Sequence, residues 1–229
     1  MLFRSENSIE GSVSIETMDL LINPSFELRI SGEVVLSIQH HLVGAPGINP
    51  ATAQVVYSHP QGLAQCRQSL QRLAPQAKPV AALSTAGAVE ASIQEPGTLA
   101  VGSEYAAELY GATIYARDIG DERGNETRFV VLAREDADPT GDDKTSLAFT
   151  TAHDRPGSLV EVLQLFATHG LNLTRIESRP TRRQLGTYVF FCDIQGHRSD
   201  PEMRGVLEEA AQITQWLRVL GSYPRWKRA

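Results

Sequence analysis

The sequence predicts an α/β protein of two domains, and three observations support this class. Upstream of residue 134, short β-branched runs alternate with helical patterns. The segment REDADPTGDDKT, residues 134–145, is acidic, contains a proline and a glycine and lacks apolar periodicity, which is typical of a linker. Downstream of it, the predicted elements follow the order βαββαβ. We therefore expect a first domain at residues 1–134, a linker at 135–144 and a second domain at 145–224.

The first domain is interpreted as strands and helices in alternation. Such alternation implies right-handed crossover connections and a largely parallel sheet. The segment that precedes the alternating runs, residues 27–43, is interpreted as one long strand or as a pair of strands broken at Gly32. The alternating runs are, in order, AQVVYSHP, QGLAQCRQSLQRL, KPVAALS, TAGAVEASIQ, TLAVGS, SEYAAELYG and ATIYARDI.

The second domain has the element order of a ferredoxin-like fold. Pro201 after Asp200 is a favourable start for its second helix. Its first helix carries apolar side chains at steps of three and four residues, which predicts a buried stripe. The members of this stripe are Leu159, Val162, Leu163 and Phe166. The predicted elements are TSLAFTTA, PGSLVEVLQLFATHG, LNLTRIESRP, GTYVFFCDIQ, PEMRGVLEEAAQI and WLRVLGSY.

Composition excludes several classes of function. The formal net charge is -6 at pH 7, which argues against broad binding to nucleic acid or to an acidic membrane. Cys66 and Cys192 are far apart and belong to no C-x-x-C motif, so we interpret both as reduced core thiols. No apolar run approaches the roughly 18 residues that span a bilayer, and the N-terminus lacks the apolar stretch of a signal peptide. We expect a cytoplasmic protein.

The candidate site residues are uncharged hydrogen-bonding groups. His40 and His41 are adjacent in a strand-like segment, so their side chains point to opposite faces and cannot share a metal ion. The sequence contains no nucleophile elbow, metal-ligand cluster or phosphate-binding loop. Polar side chains do recur at strand ends, where open α/β sheets bind ligands. Each of them taken alone is also consistent with a helix cap or a turn residue. They are Asn7, Ser58, Gln65, Ser84, Thr85 and Thr127.

Several motifs occur together in one order, and as a set they resemble the prephenate dehydratase family over almost the whole chain. ENSIEGSV with the helix SIETMDLL, VYSHPQGLAQC, STAGA and GNETRF look like motifs of its catalytic domain. DRPGSLVEVL and ESRP look like the effector-binding motifs of its regulatory ACT domain. The resemblance implies a two-lobed catalytic domain, similar to periplasmic binding proteins, followed by a ferredoxin-like ACT domain.

The implied reaction converts prephenate to phenylpyruvate, with loss of carbon dioxide and of the ring hydroxyl, and it requires no cofactor. By resemblance Thr127 lies beside the leaving hydroxyl, as a hydrogen-bond donor or proton relay. If residues 127–132 are extended, Arg128 points away from the face of Thr127. Arg128 is therefore either an anchor for a substrate carboxylate or a structural ion-pair partner. The resemblance assigns binding or turnover to Asn7, Ser58 and Gln65, and also to Glu6, which would need to be neutral or to bind a cation.

The ACT motifs imply feedback inhibition by phenylalanine bound between two subunits. The helix that opens after Gly157 offers backbone N–H groups to a carboxylate, and Asn172 and Glu177 offer oxygens to the ammonium group. Ser158 stands where most of the family has alanine. The apolar run YVFFC fits a sheet covered on both faces, from which we expect a homodimer or a homotetramer. The full set assigned to the effector is Gly157, Ser158, Leu159, Val160, Asn172, Glu177, Ser178, Arg179 and Pro180.

The resemblance departs from the family at the start of the chain, where only MLFRS precedes Glu6. We expect the first lobe to be incomplete, so that the strand from Thr127 to Ala133 loses most of its partners and exposes an edge. Two hypotheses remain open. In the first, the chain is a prephenate dehydratase, and in the second, it is a non-catalytic regulatory fragment that binds phenylalanine.

Overall fold

The computed structural model describes residues 2–9, 11–12, 15–181 and 187–227. Its internal contacts divide the chain into two compact units. Unit 1 comprises Met1–Leu36 and Thr127–Ala229, and unit 2 comprises Ser37–Glu126. Residues 10, 13 and 14 of the ENSIEGSV motif and its helix lie outside the described residues, as do residues 182–186. None of the described helices is both long enough and apolar enough to cross a membrane.

Unit 2 contains a five-stranded sheet in which strands and helices alternate. The strand order is β6-β5-β7-β4-β8, with β5 parallel to β6 and to β7, and β4 antiparallel to β7 and to β8. The prediction of a largely parallel sheet is therefore confirmed for β5, β6 and β7 and is wrong for β8, the strand of the ATIYARDI run, which pairs antiparallel with β4. The elements are β4 (His41–Gly44), β5 (Val55–Ser58), α2 (Pro60–Gln65), α3 (Arg67–Leu73), β6 (Lys78–Ala81), α4 (Thr85–Gln94), β7 (Thr98–Gly102), α5 (Glu104–Tyr110) and β8 (Thr113–Ala116).

Helix caps in unit 2 account for some of the polar residues at strand ends. The hydroxyl of Ser84 accepts a hydrogen bond from the N–H of Gly87 at 3.0 Å, at the start of α4. His59 Nδ1 accepts from the N–H of Gln61 at 3.3 Å, at the start of α2. Ser84 and His59 therefore act as ordinary capping residues within the fold, and Thr85 is the first residue of α4.

Unit 1 combines a small four-stranded sheet with the predicted ferredoxin-like module. The strand order of the small sheet is β2-β1-β9-β3, and that of the module is β11-β12-β10-β13. The module follows the order βαββαβ, which confirms that prediction. The elements of unit 1 are β1 (Leu2–Asn7), β2 (Gly11–Ser12), α1 (Ile15–Ile22), β3 (Arg29–Ser37), β9 (Glu126–Ala133), β10 (Asp143–Thr151), α6 (Ser158–Thr168), β11 (Leu173–Pro180), β12 (Tyr188–Gln195), α7 (Pro201–Ile213) and β13 (Thr214–Pro224).

Two expectations about strands are wrong. Strand β9 lies between β1 and β3, because residues 2–7 form the strand that pairs with it, so it is not an exposed edge. Strand β3 continues through Gly32 without a break, and the chain leaves the strand conformation only after Ser37. A Cβ atom at Gly32 would lie 3.7 Å from the side chain of Val131, which is an ordinary contact, so the position resembles any other residue of the strand.

The sheet of the module is buried on both faces. Leu147 and Phe149 of β10 face α6 and α7, where they pack with Val162 and Phe166 of the predicted stripe. Leu159 packs partly against this cluster, and Leu163 is half-buried. The opposite face packs against side chains of α1, β3 and β9 from the same chain. The buried members of that second cluster are Met18, Leu21, Ile30, Val130, Leu132, Ala148, Val189, Phe191, Leu220 and Tyr223.

This second layer explains the apolar YVFFC run within one chain, so the run is not evidence for a dimer. The layers approach each other closely at Gly221 of β13, where a Cβ atom would lie 2.0 Å from the carbonyl oxygen of Ile30 in β3. A glycine is therefore required at this position. Burial raises the pKa of the Cys192 thiol to about 12, and burial raises that of Cys66 in unit 2 to about 12 as well. Both are unpaired, protonated core thiols, as the sequence predicts.

Candidate functional site

Thr127 and Asn7 meet at the ends of paired strands in unit 1. The register of β1 and β9 places Asn7 opposite Thr127. Asn7 Nδ2 donates to Thr127 Oγ1 at 3.0 Å, and Asn7 Oδ1 accepts from the N–H of Ile9 at 3.1 Å. The bond from Ile9 fixes which end of the amide faces Thr127. Because the threonine oxygen accepts from this amide, its own hydrogen is directed to another acceptor.

Arg128 points to the opposite side of β9, as the strand alternation predicts. Its Nε donates to Glu33 Oε2 at 2.6 Å, its Nη1 to Asp193 Oδ2 at 2.7 Å and its Nη2 to Tyr223 Oη at 2.6 Å. The residue is only 8% exposed. Of the two roles left open for Arg128, these contacts support the structural ion-pair partner.

The buried charges around Arg128 balance one another. Burial alone would raise the pKa of the Asp193 carboxyl group, but Arg128 and Arg175 hold that pKa below its usual range. Burial raises the pKa of Tyr223, so its phenol keeps its proton and donates to Ser146 Oγ at 2.6 Å. Ser146 in turn donates to Asp193 Oδ1 at 2.5 Å. The group satisfies its own polar atoms, as buried charges require.

Glu6 joins this group to strand β11 of the ferredoxin-like module. Its Oε2 atom lies 3.6 Å from Arg128 Nη1 and 3.4 Å from Arg175 Nε. Arg175 also forms an ion pair with Glu177. Glu6 was expected either to be neutral or to bind a cation, and the two guanidinium groups are cations in contact with it. Glu177 of the predicted effector motif and Glu6 of the predicted catalytic motif thus share Arg175.

Ser58 and Gln65 lie in unit 2, at the end of β5 and of α2. Ser58 is fully buried, and its hydroxyl donates to the carbonyl of Val101 at 2.8 Å. Gln65 Oε1 accepts from His40 Nε2 at 2.8 Å and from Asn125 Nδ2 at 3.0 Å. The structure therefore brings Asn7 and Thr127 together in unit 1. In unit 2 it brings Gln65 together with His40 and Asn125, which were not among the predicted site residues.

The predicted effector motif lies on α6 and β11 of unit 1. Gly157 precedes α6 with a φ of 92°, a left-handed conformation that glycine adopts readily. The N–H of Ser158 donates to the carbonyl of Arg155 at 3.2 Å. Leu159 and Val160 lie in the first turn, where backbone N–H groups have no partner within the helix. Val160 is exposed.

The β11 part of the effector motif already makes contacts within the chain. Arg179 binds Asp19 Oδ1 at 2.7 Å and lies over the ring of Phe191. Asn172 accepts from the N–H of Gln195 through its backbone carbonyl at 2.9 Å. Ser178 and Pro180 are exposed.

Metal binding finds no support in the described part of the chain, where no group of three or more potential ligands comes together. His40 and His41 have separate partners, as expected from their adjacency. His40 contacts Gln65, whereas His41 Nδ1 accepts from the N–H of Asp118 at 3.0 Å. Burial lowers the pKa of His41, so this acceptor stays unprotonated at neutral pH.

The architecture defines a class of protein in which an α/β part with polar side chains at its strand ends precedes a ferredoxin-like module. The comparisons identify the class. The chain belongs to the prephenate dehydratase family, because the family model described as "Prephenate dehydratase" matches residues 3–137. A second model, described as "ACT domain", matches residues 145–212. The family recognised from the sequence motifs is thereby confirmed.

Curated relatives and solved structures agree with this assignment. The bifunctional chorismate mutase/prephenate dehydratase of Aquifex aeolicus is 42% identical over 220 residues, covering 96% of this chain and 59% of the relative. The prephenate dehydratase of Methanocaldococcus jannaschii is 36% identical, covering 96% of this chain and 79% of the relative. The chain therefore spans little more than half the length of the bifunctional relatives.

Among solved structures, prephenate dehydratase from Arthrobacter aurescens in complex with L-Phe superposes with a TM-score of 0.86 at 36% identity, covering 98% of this chain and 74% of that one. A protein described as a quorum quenching acylase, GqqA, superposes with a TM-score of 0.82 at 32% identity, covering 98% of this chain and 81% of that one. These similarities confirm the predicted fold class. The second of them shows that the fold alone does not define the reaction.

Proposed function

We propose that the protein converts prephenate to phenylpyruvate, by decarboxylation and loss of the ring hydroxyl, in phenylalanine biosynthesis. The observation that carries this proposal is the hydrogen bond from Asn7 Nδ2 to Thr127 Oγ1. Membership of the prephenate dehydratase family supports it, as does the order of the motifs in which both residues lie. The corresponding class of enzyme is a carbon-oxygen lyase.

The reaction needs a positioned donor more than it needs a strong acid. The electrons of the C–CO₂ bond move into the ring as carbon dioxide departs, the ring becomes aromatic, and the C–OH bond breaks with its electron pair on oxygen. Thr127 is only 1% exposed, and Asn7 occupies one acceptor site of its oxygen. The threonine O–H is thereby preorganised to donate to the departing hydroxyl. The hydroxyl takes up a proton that is supplied by solvent, directly or by relay through Thr127, and leaves as water.

Gln65 is proposed to bind the substrate through its amide, and Glu6 to hold the β1 strand end through Arg128 and Arg175. Ser58 is proposed to have a structural role. Its buried hydroxyl donates to the carbonyl of Val101 and fixes the end of β5 before α2. Arg128 is proposed to stabilise β9 beneath Thr127 rather than to bind a substrate carboxylate. No step of this proposal requires a cofactor.

Phenylalanine is proposed as an allosteric effector that binds the ACT domain. The A. aurescens relative, solved in complex with L-Phe, supports this ligand. The first turn of α6 offers N–H groups for the carboxylate, and Glu177 offers an oxygen for the ammonium group, in competition with Arg175. We further propose a homodimer or homotetramer that works in the cytoplasm. We also propose that the catalytic domain ends at residue 134 and that the ACT domain begins at residue 145.

The proposal is tested by incubating the purified chain with prephenate and measuring phenylpyruvate. We expect Thr127→Val to lower kcat by at least ~100-fold while the fold is retained, the scale of losing a positioned donor. Thr113→Val, the same substitution in β8, is the matched control and should leave kcat unchanged.

Formation of phenylpyruvate at the same rate by Thr127→Val would contradict the role of Thr127. The absence of turnover by the unmodified chain, together with phenylalanine binding in calorimetry, would favour the regulatory fragment instead. An acylase assay run in parallel tests the activity named for the GqqA relative.

A further inference from the structure

Gln65 is held at one end of its amide by two donors. It is the last residue of α2, and its Oε1 atom accepts from His40 Nε2 at 2.8 Å and from Asn125 Nδ2 at 3.0 Å. Two donors that converge on one oxygen determine the orientation of the amide, because the opposite orientation would place the NH₂ group against them. The amino group of Gln65 is therefore at the other end.

The backbone fixes the three residues relative to one another. The N–H of Ile119 donates to the carbonyl of His40 at 2.8 Å, and the N–H of Asp121 donates to the carbonyl of Gln65 at 2.7 Å. The N–H of Ile38 donates to the carbonyl of Asn125 at 2.8 Å. The segments that carry His40, Gln65 and Asn125 are thus connected by main-chain hydrogen bonds in addition to the side-chain bonds.

The side chains of His40 and Asn125, which donate to Gln65, are both buried. His40 is 9% exposed and Asn125 is 6% exposed, so both donors are largely shielded from water and need a protein acceptor. Within this group, His40 must carry its proton on Nε2, because the glutamine oxygen can only accept. The neighbouring Gly62 has no room for a side chain, because a Cβ atom there would lie only 2.7 Å from Ser58 Oγ. The same atom would lie 3.8 Å from His40 Cε1, so α2 packs closely beside the histidine.

We propose that His40 is a positioning residue for the dehydratase reaction, which acts through Gln65 with the help of Asn125. By holding the glutamine oxygen, His40 presents the amide NH₂ to an anionic substrate and keeps the repelling carbonyl away from its carboxylates. This inference rests on the proposed function. It assigns to the histidine neither proton transfer nor metal binding.

The kinetic test compares two replacements of His40 in the full chain. His40→Leu removes the donor and should raise KM for prephenate by about 10-fold with kcat changed by less than about 2-fold, the pattern of lost substrate binding. His40→Gln restores an N–H donor of similar reach and should recover most of the wild-type KM. His41→Asn, which keeps an acceptor for the N–H of Asp118, is the matched control and should behave as wild type.

A double-mutant cycle separates positioning from a general structural effect. In the Gln65→Ala background, His40→Leu should change KM by less than about 2-fold, because the group through which it acts is absent. Equal effects of His40→Leu in both backgrounds would overturn the proposal, and so would a failure of His40→Gln to restore KM.

A spectroscopic test is independent of activity and needs no His40 variant that folds well. With ¹⁵N-labelled histidine, His40 should show the Nε2–H tautomer and a slowly exchanging Nε2 proton in the wild type and in His41→Asn. That proton signal should disappear in Gln65→Ala. An Nδ1–H tautomer, or a signal unchanged by Gln65→Ala, would overturn the positioning role even if prephenate turnover is confirmed. A wild-type chain without turnover would contradict the proposed function. The ¹⁵N-histidine measurement would still show whether His40 donates to Gln65.

Discussion

At the scale of single residues, amide side chains determine the direction in which other groups donate. Asn7 receives the N–H of Ile9 on its oxygen and donates from its nitrogen to Thr127. The hydroxyl of Thr127 is weakly acidic, so we expect it to contribute through the direction of its hydrogen bond and not through its strength as an acid. The proposed functional group and the residue that orients it therefore come from two motifs that lie 120 positions apart in the chain.

The orientation of Thr127 can be reversed by one isosteric change. Asn7→Asp replaces the donor with a carboxylate oxygen, and the threonine hydroxyl would then turn to donate to Asp. We expect kcat for prephenate to fall by about 100-fold with little change in the thermal unfolding temperature. Asn49→Asp is the matched control, because Asn49 accepts from the N–H of Ala51 through an oxygen that aspartate also has. Equal rates for Asn7→Asp and the wild type would show that the bond to Thr127 is irrelevant to turnover.

The depressed pKa of Asp193 predicts acid lability. A carboxyl group whose pKa is lower in the folded state stabilises the protein above its unfolded pKa, near 3.8, and this contribution is lost as the pH falls below that value. We expect the free energy of unfolding, measured with urea, to decrease below about pH 4 in the wild type and to decrease less steeply in Asp193→Asn. The exposed Asp154→Asn variant provides the control for general charge effects. Parallel pH profiles for wild type and Asp193→Asn would contradict the assignment.

At the scale of elements, the start of α6 depends on the backbone of Gly157. Its φ of 92° is a conformation that side chains with a Cβ adopt at a cost of roughly 1–2 kcal/mol. A Cβ there would meet nothing within 4 Å, so the cost is conformational and no steric block within the described chain contributes. The position of the first turn of α6, and of its N–H groups, therefore depends on the backbone conformation of Gly157.

Replacing this glycine should weaken effector binding. We expect Gly157→Val to reduce phenylalanine affinity by about 10-fold in isothermal titration, because the first turn must shift to relieve the backbone. Gly205→Ala in α7, where a Cβ also meets nothing within 4 Å, should leave the affinity unchanged. Undiminished binding by Gly157→Val would place the effector site elsewhere.

At the scale of the whole molecule, the sequence and the structure agree where local pattern determines the outcome. The βαββαβ order, the buried Val162 and Phe166 and the outward turn of Arg128 from Thr127 follow from strand and helix periodicity. The contacts of Arg128 do not, because Asp193 is 65 positions away and no periodicity connects them. The same holds for His40, whose partner Gln65 is 25 positions away. The predicted edge at β9 was wrong because the few residues before the first motif form β1.

The shared core of unit 1 predicts that the ferredoxin-like module is less stable alone. Phe191 and Tyr223 pack against α1, β3 and β9, and Asp193 pairs with Arg128. A fragment of residues 143–227 would expose this apolar face to water and would remove Arg128 from the Asp193 carboxylate. We expect it to bind the dye ANS and to unfold at a temperature at least ~5 °C below that of the full chain, because a loss of 1 kcal/mol has an effect of this size in a small domain. Identical melting temperatures would show that the shared core contributes nothing to the module.

The close approach at Gly221 restricts the kind of motion by which an effector signal can leave the module. A Cβ at this position would lie 2.0 Å from the oxygen of Ile30, so β13 and β3 are in contact through their backbones, with no layer of side chains between them. Sliding of packed layers depends on side chains that change rotamers at the contact, and such side chains are lacking here. Shear is therefore the unfavourable mode at this point. Any rearrangement that phenylalanine causes in β13 would therefore move β3 together with β13 as one rigid body. Hinge rotation of the two strands is the kind of motion that this contact permits.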